Sequence, residues 1–210
     1  MIRIITIERE FGSGGAAIAQ KLSERLGWKL WDQSLTGEIA RITKADPAAV
    51  ERKEERCDPL FFRLMKVFLR GSFERSLPIS NLELLEAERM TELMHNVINE
   101  AADAGNCVIV GRGSPYFLRE RPDAFHVFVY APYDEKIRRV RASGKSEREA
   151  AELADTIDRE RAAFIKRYFR KEWPNRHLYH MMINSIVGDE AVLEMILNEV
   201  SILNRQPALV

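Results

Sequence analysis

Gly12, Ser13, Gly14 and Gly15 stand together between an apolar N-terminal run and the first helical repeat. Glycines at this spacing allow a tight turn and a close backbone approach, and Ser13 adds a hydroxyl. The N–H groups that open a following helix can hold an anion without any basic side chain. The chemistry open to such a stretch is phosphate binding. In the usual phosphate loop a lysine and then a serine or threonine follow the last glycine, to hold phosphate oxygens and magnesium. Here Gly15 and Ala16 occupy those two places. The positive charge must come from elsewhere, unless the stretch is simply a strand-to-helix turn packed on a sheet.

Arginine suits a transferring phosphoryl group, because its planar fork holds two oxygens and keeps its charge. Arg9 adjoins the loop, Arg112 follows "CVIVG", Arg138 and Arg141 lie in a basic stretch after Pro132, and Arg161 lies farther on. They converge only in a fold that gathers them, and the bland role of each is a solvent-facing or paired surface arginine. Glu8 and Asp32 are the acidic candidates for magnesium, which takes oxygen ligands and keeps several waters. Asp32 could equally cap the next helix, and Glu8 could pair with a neighbouring base. His95, His126, His177 and His180 show no metal-ligand grouping, and Ser114 lacks a nucleophile-elbow pattern.

These residues need a frame. Ile2 to Ile7 reads as a buried strand stopped by the charges of Glu8, Arg9 and Glu10. Ala17, Ile18, Leu22 and Leu26 repeat at helical spacing up to Gly27, and "WKLW" is a second strand with Asp32 at its end. From Gln33 to about Ala104 the texture is helical, with a long amphipathic helix from Leu82 to Ala104. "CVIVG", "FHVFVY" and "YHMMINS" are three more strands. Pro132 opens a helix, "ASGKSEREA" is a polar hinge, a charged helix runs from about Ala151 to Arg170, and Val192 to Val200 marks the last helix. Short apolar strands alternating with helices predict a parallel sheet covered on both faces, with ligands beyond the carboxyl ends of its strands.

With these motifs in place, "ITIEREFGSGGAAIAQKLSERLGWKLWD", "CVIVGRGSPYFL", "FVYAPYDEKIRRV", "IDRERAAFIKRYF" and "YHMMINS" together resemble the cytidylate kinase-like family, relatives of nucleoside monophosphate kinases in the P-loop fold. The resemblance implies one P-loop NTPase-like α/β/α domain over residues 1–210, with a five-stranded parallel sheet. It also implies a helical, monophosphate-binding part at about 33–104 and a lid at about 142–160. Gly12, Ser13, Gly14 and Gly15 would surround donor phosphates, Asp32 would face the nucleotide cleft, and Arg112 would contact the acceptor phosphate. Arg138 and Arg141 would precede the lid, and Asp158 and Arg161 lie in the motif after it. The chain departs from the pattern twice: Ala16 stands where relatives in the lysine-lacking branch often carry arginine, and Gly113 where ordinary cytidylate kinases carry a pyrimidine-contacting aspartate.

The expectation is a nucleotide-dependent phosphotransferase that uses Mg2+ and ATP or another nucleoside triphosphate on a nucleoside monophosphate or similar small acceptor. The alternatives are a weak or inactive nucleotide-binding regulatory module, and a protein-interaction domain. Across 210 residues, 32 basic and 32 acidic side chains cancel, so net charge gives no argument for a nucleic-acid or membrane partner. Cys57 and Cys107 form no disulfide framework and the N-terminus shows no signal-like segment, which predicts a cytoplasmic protein. The Leu82 to Ala104 helix could serve a homodimer.

Overall fold

The computed structural model describes residues 1–32 and 87–205, with side chains from residue 92 in the second stretch. Strand β1 (Ile4–Arg9) leads through the glycine turn to α1 (Gly15–Leu26) and β2 (Lys29–Trp31). Then come α2 (Ala87–Ala104), β3 (Cys107–Val110), the single turn α3 (Ser114–Phe117), β4 (Ala124–Tyr130), α4 (Tyr133–Ala142), α5 (Glu147–Phe169), β5 (Met181–Asn184) and α6 (Asp189–Arg205). The helices predicted between Gln33 and Leu82, the first residues of the Leu82 to Ala104 helix, Cys57 and the last five residues lie outside the described stretches. Among the described residues no helix is long and apolar enough to cross a membrane.

The five strands form one sheet in the order β2-β3-β1-β4-β5, and every pairing is parallel. Parallel strands are buried on both faces, which is why β1, β3 and β4 read as runs of Ile, Val and Phe rather than as alternations. Ile5 and Ile7 of β1, with Val108, Val127 and Val129, pack against Ile18 and Leu22 of α1 and Val192, Leu193 and Ile196 of α6. Ile4, Ile109 and Ala124 look to the other side, toward Met94, Val97 and Ile98 of α2 and Phe164 and Ile165 of α5. Each fully buried isoleucine contributes roughly 1.5–3 kcal/mol to this α/β/α sandwich. A smaller cluster, Ile137 and Val140 with Ala150 and Ala154, joins α4 to α5.

Two boundaries differ from the sequence reading. Strand β1 runs on through Glu8 and Arg9, because both continue the β4 ladder opposite Phe128 and Val129 and both are buried. Helix α5 starts four residues before Ala151, at Glu147. Ser146 accepts from the Glu149 amide at 3.3 Å while Glu149 accepts from the Ser146 amide at 2.9 Å, a capping box that turns the second part of the expected hinge into helix.

Candidate functional site

Strand β1 is the central strand, so the turn that follows it lies at the middle of the sheet's carboxyl edge. Gly12 and Gly14 have φ of 77° and 81°, which other residues reach only with strain. A Cβ on Gly12 would lie 2.9 Å from the Lys136 carbonyl oxygen, and one on Gly14 would displace the Arg139 guanidinium that crosses it. Gly14 is the N-cap of α1 and gives no side-chain hydrogen bond to the first amides of the helix, which by helix geometry lie along its axis without intrahelical partners. The Ser13 hydroxyl turns inward and donates to the Glu10 carbonyl at 2.8 Å. The Ser13 carbonyl accepts from Ser185 Oγ at 2.6 Å and from Arg139 Nη1 at 2.7 Å. Carbonyl and hydroxyl are thus engaged within the protein while the helix-start amides carry no side-chain cap, the polarity an anion needs.

Asp158 of α5 ties the loop to the α4–α5 pair. Its Oδ1 accepts from the Phe11 amide at 2.8 Å and from Arg161 Nη1 at 3.2 Å, and its Oδ2 accepts from Lys136 Nζ at 3.1 Å. Lys136 also lies 3.3 Å from Glu10 Oε2. Burial opposes the charge on Lys136, yet Asp158 and Glu10 outweigh it and hold its pKa above the ordinary lysine range. Arg161 Nη1 also donates to the Arg9 carbonyl at 2.9 Å.

Arg112 follows β3 with φ of 61°, a conformation that aims its side chain back across the sheet edge toward β2. Its Nη2 donates to the Asp32 carbonyl at 2.8 Å and lies 3.9 Å from Asp32 Oδ1. That buried carboxylate oxygen accepts no hydrogen bond among the described residues. Burial, opposed by Asp32 and reinforced by Arg9, lowers the Arg112 pKa to about 10. Burial and then Arg9 lower Arg161 to about 10 as well. Both stay charged at neutral pH, and their shared sensitivity to Arg9 marks three buried guanidinium groups gathered beside the loop.

Glu8 is buried with both oxygens engaged: Oε1 accepts from the Gly113 amide at 3.3 Å and Oε2 from Trp173 Nε1 at 3.1 Å. Burial, and then the Glu8 charge, push the hydroxyls of Tyr116 and Tyr179 upward. Glu8 therefore orients the turn after β3. Among the described residues no three His, Cys, Asp or Glu gather into a metal group.

Of the residues singled out in the sequence, Arg9, Gly12, Ser13, Gly14, Gly15, Asp32, Arg112, Asp158 and Arg161 lie at this edge, and Glu8 lies beneath it. Arg138 and Arg141 do not join them. Their side chains are 70% and 54% exposed and pair with Glu135 and Glu147. The residue between them in the helical face that meets the loop is Arg139, which also reaches the Ser185 carbonyl at 3.0 Å and Asp189 at 3.2 Å. Sequence reasoning placed Glu10, Lys136 and Arg139 in stretches near the expected ligand edge but gave none of them a role in the site. Their signal was position: each lies within about two turns of a strand's carboxyl end, where this architecture places ligands.

Comparison with solved structures agrees with this architecture. An uncharacterized protein from Eubacterium ventriosum matches with a TM-score of 0.67 at 22% identity, over 96% of this chain and 99% of that one. Shikimate kinase from Bacteroides thetaiotaomicron matches at 0.52 and 17% identity, over 96% and 99%. Shikimate kinase from Acinetobacter baumannii, solved with shikimate, matches at 0.52 and 18% identity, over 99% and 97%. At these identities the likeness is one of fold. No curated protein matches the chain significantly. The model of the cytidylate kinase-like family matches residues 4–186, from the first residue of β1 through the strand and turn that hold Ser185 against the glycine loop, and the chain belongs to that family.

Proposed function

We propose that the protein is a nucleotide-dependent phosphotransferase that moves the terminal phosphoryl group of ATP or another nucleoside triphosphate to a nucleoside monophosphate or a similarly compact acceptor. The observation that carries this reading is the pair Arg112 and Arg161, buried and charged, both close enough to feel the charge of Arg9, the strand residue that leads into the glycine turn. Amides of α1 receive the donor phosphates, and Arg112, oriented by the Asp32 carbonyl, receives the acceptor phosphate. An acceptor oxygen attacks the terminal phosphorus. A new P–O bond forms as the bond to the bridging oxygen breaks, and the nucleoside diphosphate leaves with that electron pair. A phosphate dianion attacks without a proton to lose, so the protein's task is position and charge rather than base catalysis.

Magnesium fits this site in one form only. Ala16 offers no hydroxyl, Ser13 and Glu8 are engaged elsewhere, and of the two acidic candidates Asp32 is the one whose Oδ1 accepts no hydrogen bond among the described residues and could face a metal or its water. That donor set suits an ion held mainly by the nucleotide's phosphates and water, where it neutralises charge between the phosphates. The α4–α5 pair, fastened to the loop by Asp158, is suited to exclude water over it. Gly113 removes a contact to a pyrimidine ring, so the acceptor is not restricted to cytidylate.

A matched thermal-shift panel of ATP, GTP, CMP and other monophosphates with and without Mg2+, followed by transfer assays, tests this. Stabilisation by a triphosphate together with one acceptor, and product diphosphate from that pair, is the expected result. Ala16 favours a second reading, a nucleotide-binding module without turnover. Saturable triphosphate binding with no transfer to any acceptor would select it.

A further inference from the structure

The phosphate-loop pattern G-x-x-x-x-G-K-[S/T] puts glycine at the end of the strand and lysine at the start of the helix. Aligned with it, Arg9 takes the first glycine's place, Gly14 the second's, Gly15 the lysine's and Ala16 the hydroxyl's. The first and third of these are linked. A Cβ at position 15 would lie 2.7 Å from Arg9 Cβ, 3.1 Å from Arg9 Cγ and 3.3 Å from Val129 Cβ. Carbon atoms do not pack that closely, and these belong to a buried central strand and a helix start that have little room to shift. A side chain at position 9 and a side chain at position 15 exclude each other.

The ordinary loop resolves this exclusion in favour of the helix; this chain resolves it in favour of the strand. The Arg9 stem passes under Gly15, and its guanidinium ends against Gly111, where Nη1 fills the space a side chain would need. Gly111 immediately precedes Arg112, and its φ of 64° sets the turn that carries Arg112. Arg9 therefore spans the interval between the turn suited to donor phosphates and the arginine suited to the acceptor. It is 8% exposed, and the carbonyl of the same residue anchors Arg161.

We infer that Arg9 is the relocated cation of the loop: it contacts the phosphoryl group in transit, supplying from the end of β1 the charge that lysine supplies from α1. This rests on the phosphotransferase reading above. As the bond from phosphorus to the bridging oxygen breaks and the bond to the acceptor oxygen forms, the guanidinium neutralises charge on the equatorial oxygens and transfers no proton. The chain needs no lysine at position 15, and a lysine added there would harm it.

The test uses the full chain in four forms: the natural sequence, Arg9→Met, Gly15→Lys, and Arg9→Gly with Gly15→Lys. Each is measured for ATP binding by calorimetry in Mg2+, for transfer to the best acceptor, and for thermal midpoint. Arg9→Met keeps the stem that packs under Gly15, so it retains the fold while losing about tenfold or more in ATP affinity and more in transfer rate. Gly15→Lys alone lowers both the midpoint and ATP binding. Adding Arg9→Gly relieves that clash and restores the midpoint whatever the guanidinium does; recovery of ATP binding and transfer by this pair, set against their loss in the well-folded Arg9→Met, is what locates the cation. Arg9→Met that binds and transfers like the natural chain would overturn the assignment and leave the phosphotransferase reading standing. So would a Gly15→Lys chain that binds ATP unimpaired. A natural chain that binds no triphosphate would overturn both.

Discussion

Arg112 and Arg161 hold full charges in surroundings that penalise them, and the penalty is visible in pKa values lowered to about 10. Under the proposed function, a phosphate oxygen arriving beside them would relieve that penalty and gain affinity from it. Arg112→Met is expected to weaken monophosphate binding roughly tenfold to a hundredfold while changing ATP binding less, measured by calorimetry with each ligand alone. Asp158 works differently. Both of its oxygens are taken by the Phe11 amide, Arg161 and Lys136, so it shapes the loop and leaves ligand contact to others. Asp158→Asn keeps the shape and removes the charge that compensates two buried cations, and is expected to cost about 3 kcal/mol in denaturant unfolding. An asparagine variant with unchanged stability and weakened nucleotide binding would instead make Asp158 a direct ligand. The sequence singled out Asp158 but not this role, because Phe11 and Lys136 lie 147 and 22 positions away and no local spacing records such a meeting.

Elements were legible where one physical cause dominates. β-branched and aromatic runs such as "CVIV" and "AFHVFVY" have both faces buried, and no helix of that length would hide them as well. Gly27 and Gly14 punctuate α1 at both ends for the same local reason, a left-handed backbone. Boundaries failed where charge was read as an end. Glu8 and Arg9 looked like a strand stop and are buried ladder positions opposite Phe128 and Val129. "KSEREA" looked like a hinge, though Ser146 and Glu149 carry the S-x-x-E spacing of a helix start. Helix α5 carries Asp158 and Arg161, so the integrity of its first turns bears on the loop. Ser146→Ala removes the cap of an exposed helix start and is expected to cost about 1 kcal/mol, a fall of about 2–4 °C in thermal midpoint. An unchanged midpoint would mean that packing of Ala150 and Ala154 against α4 fixes this end without the cap.

At the scale of the whole molecule the site exists because β1 is central: β3 on one side brings Arg112, and β4 on the other leads to Lys136 and Arg139. The sequence implied parallel strands, but a convergence made by strand order has no local signature, and Arg138 was indistinguishable from Arg139 until α4 was docked on the loop. The same β1–β4 pairing builds a buried polar group away from the site. Thr6 Oγ1 and His126 Nδ1 lie 2.8 Å apart, the His126 amide donates to His180 Nδ1 at 3.0 Å, and the two imidazoles stack with centroids 5.0 Å apart. Burial, and then His180, lower the His126 pKa to about 4, and burial lowers His180 as well. Between the unfolded value near 6.5 and the folded value near 4, the unfolded chain binds the proton more readily. Stability from this group is therefore complete above pH 6.5 and is lost as pH falls toward 4. From pH 7.5 to pH 5, before most carboxylates titrate, His126 alone is expected to remove about 2 kcal/mol of unfolding free energy. Denaturant titrations at the two pH values measure the loss, and His126→Gln, which cannot titrate, should shrink it by most of that amount. A loss of the same size in the glutamine variant would assign the acid sensitivity to other groups, and would mean that the sheet tolerates a charged imidazole between β1 and β5.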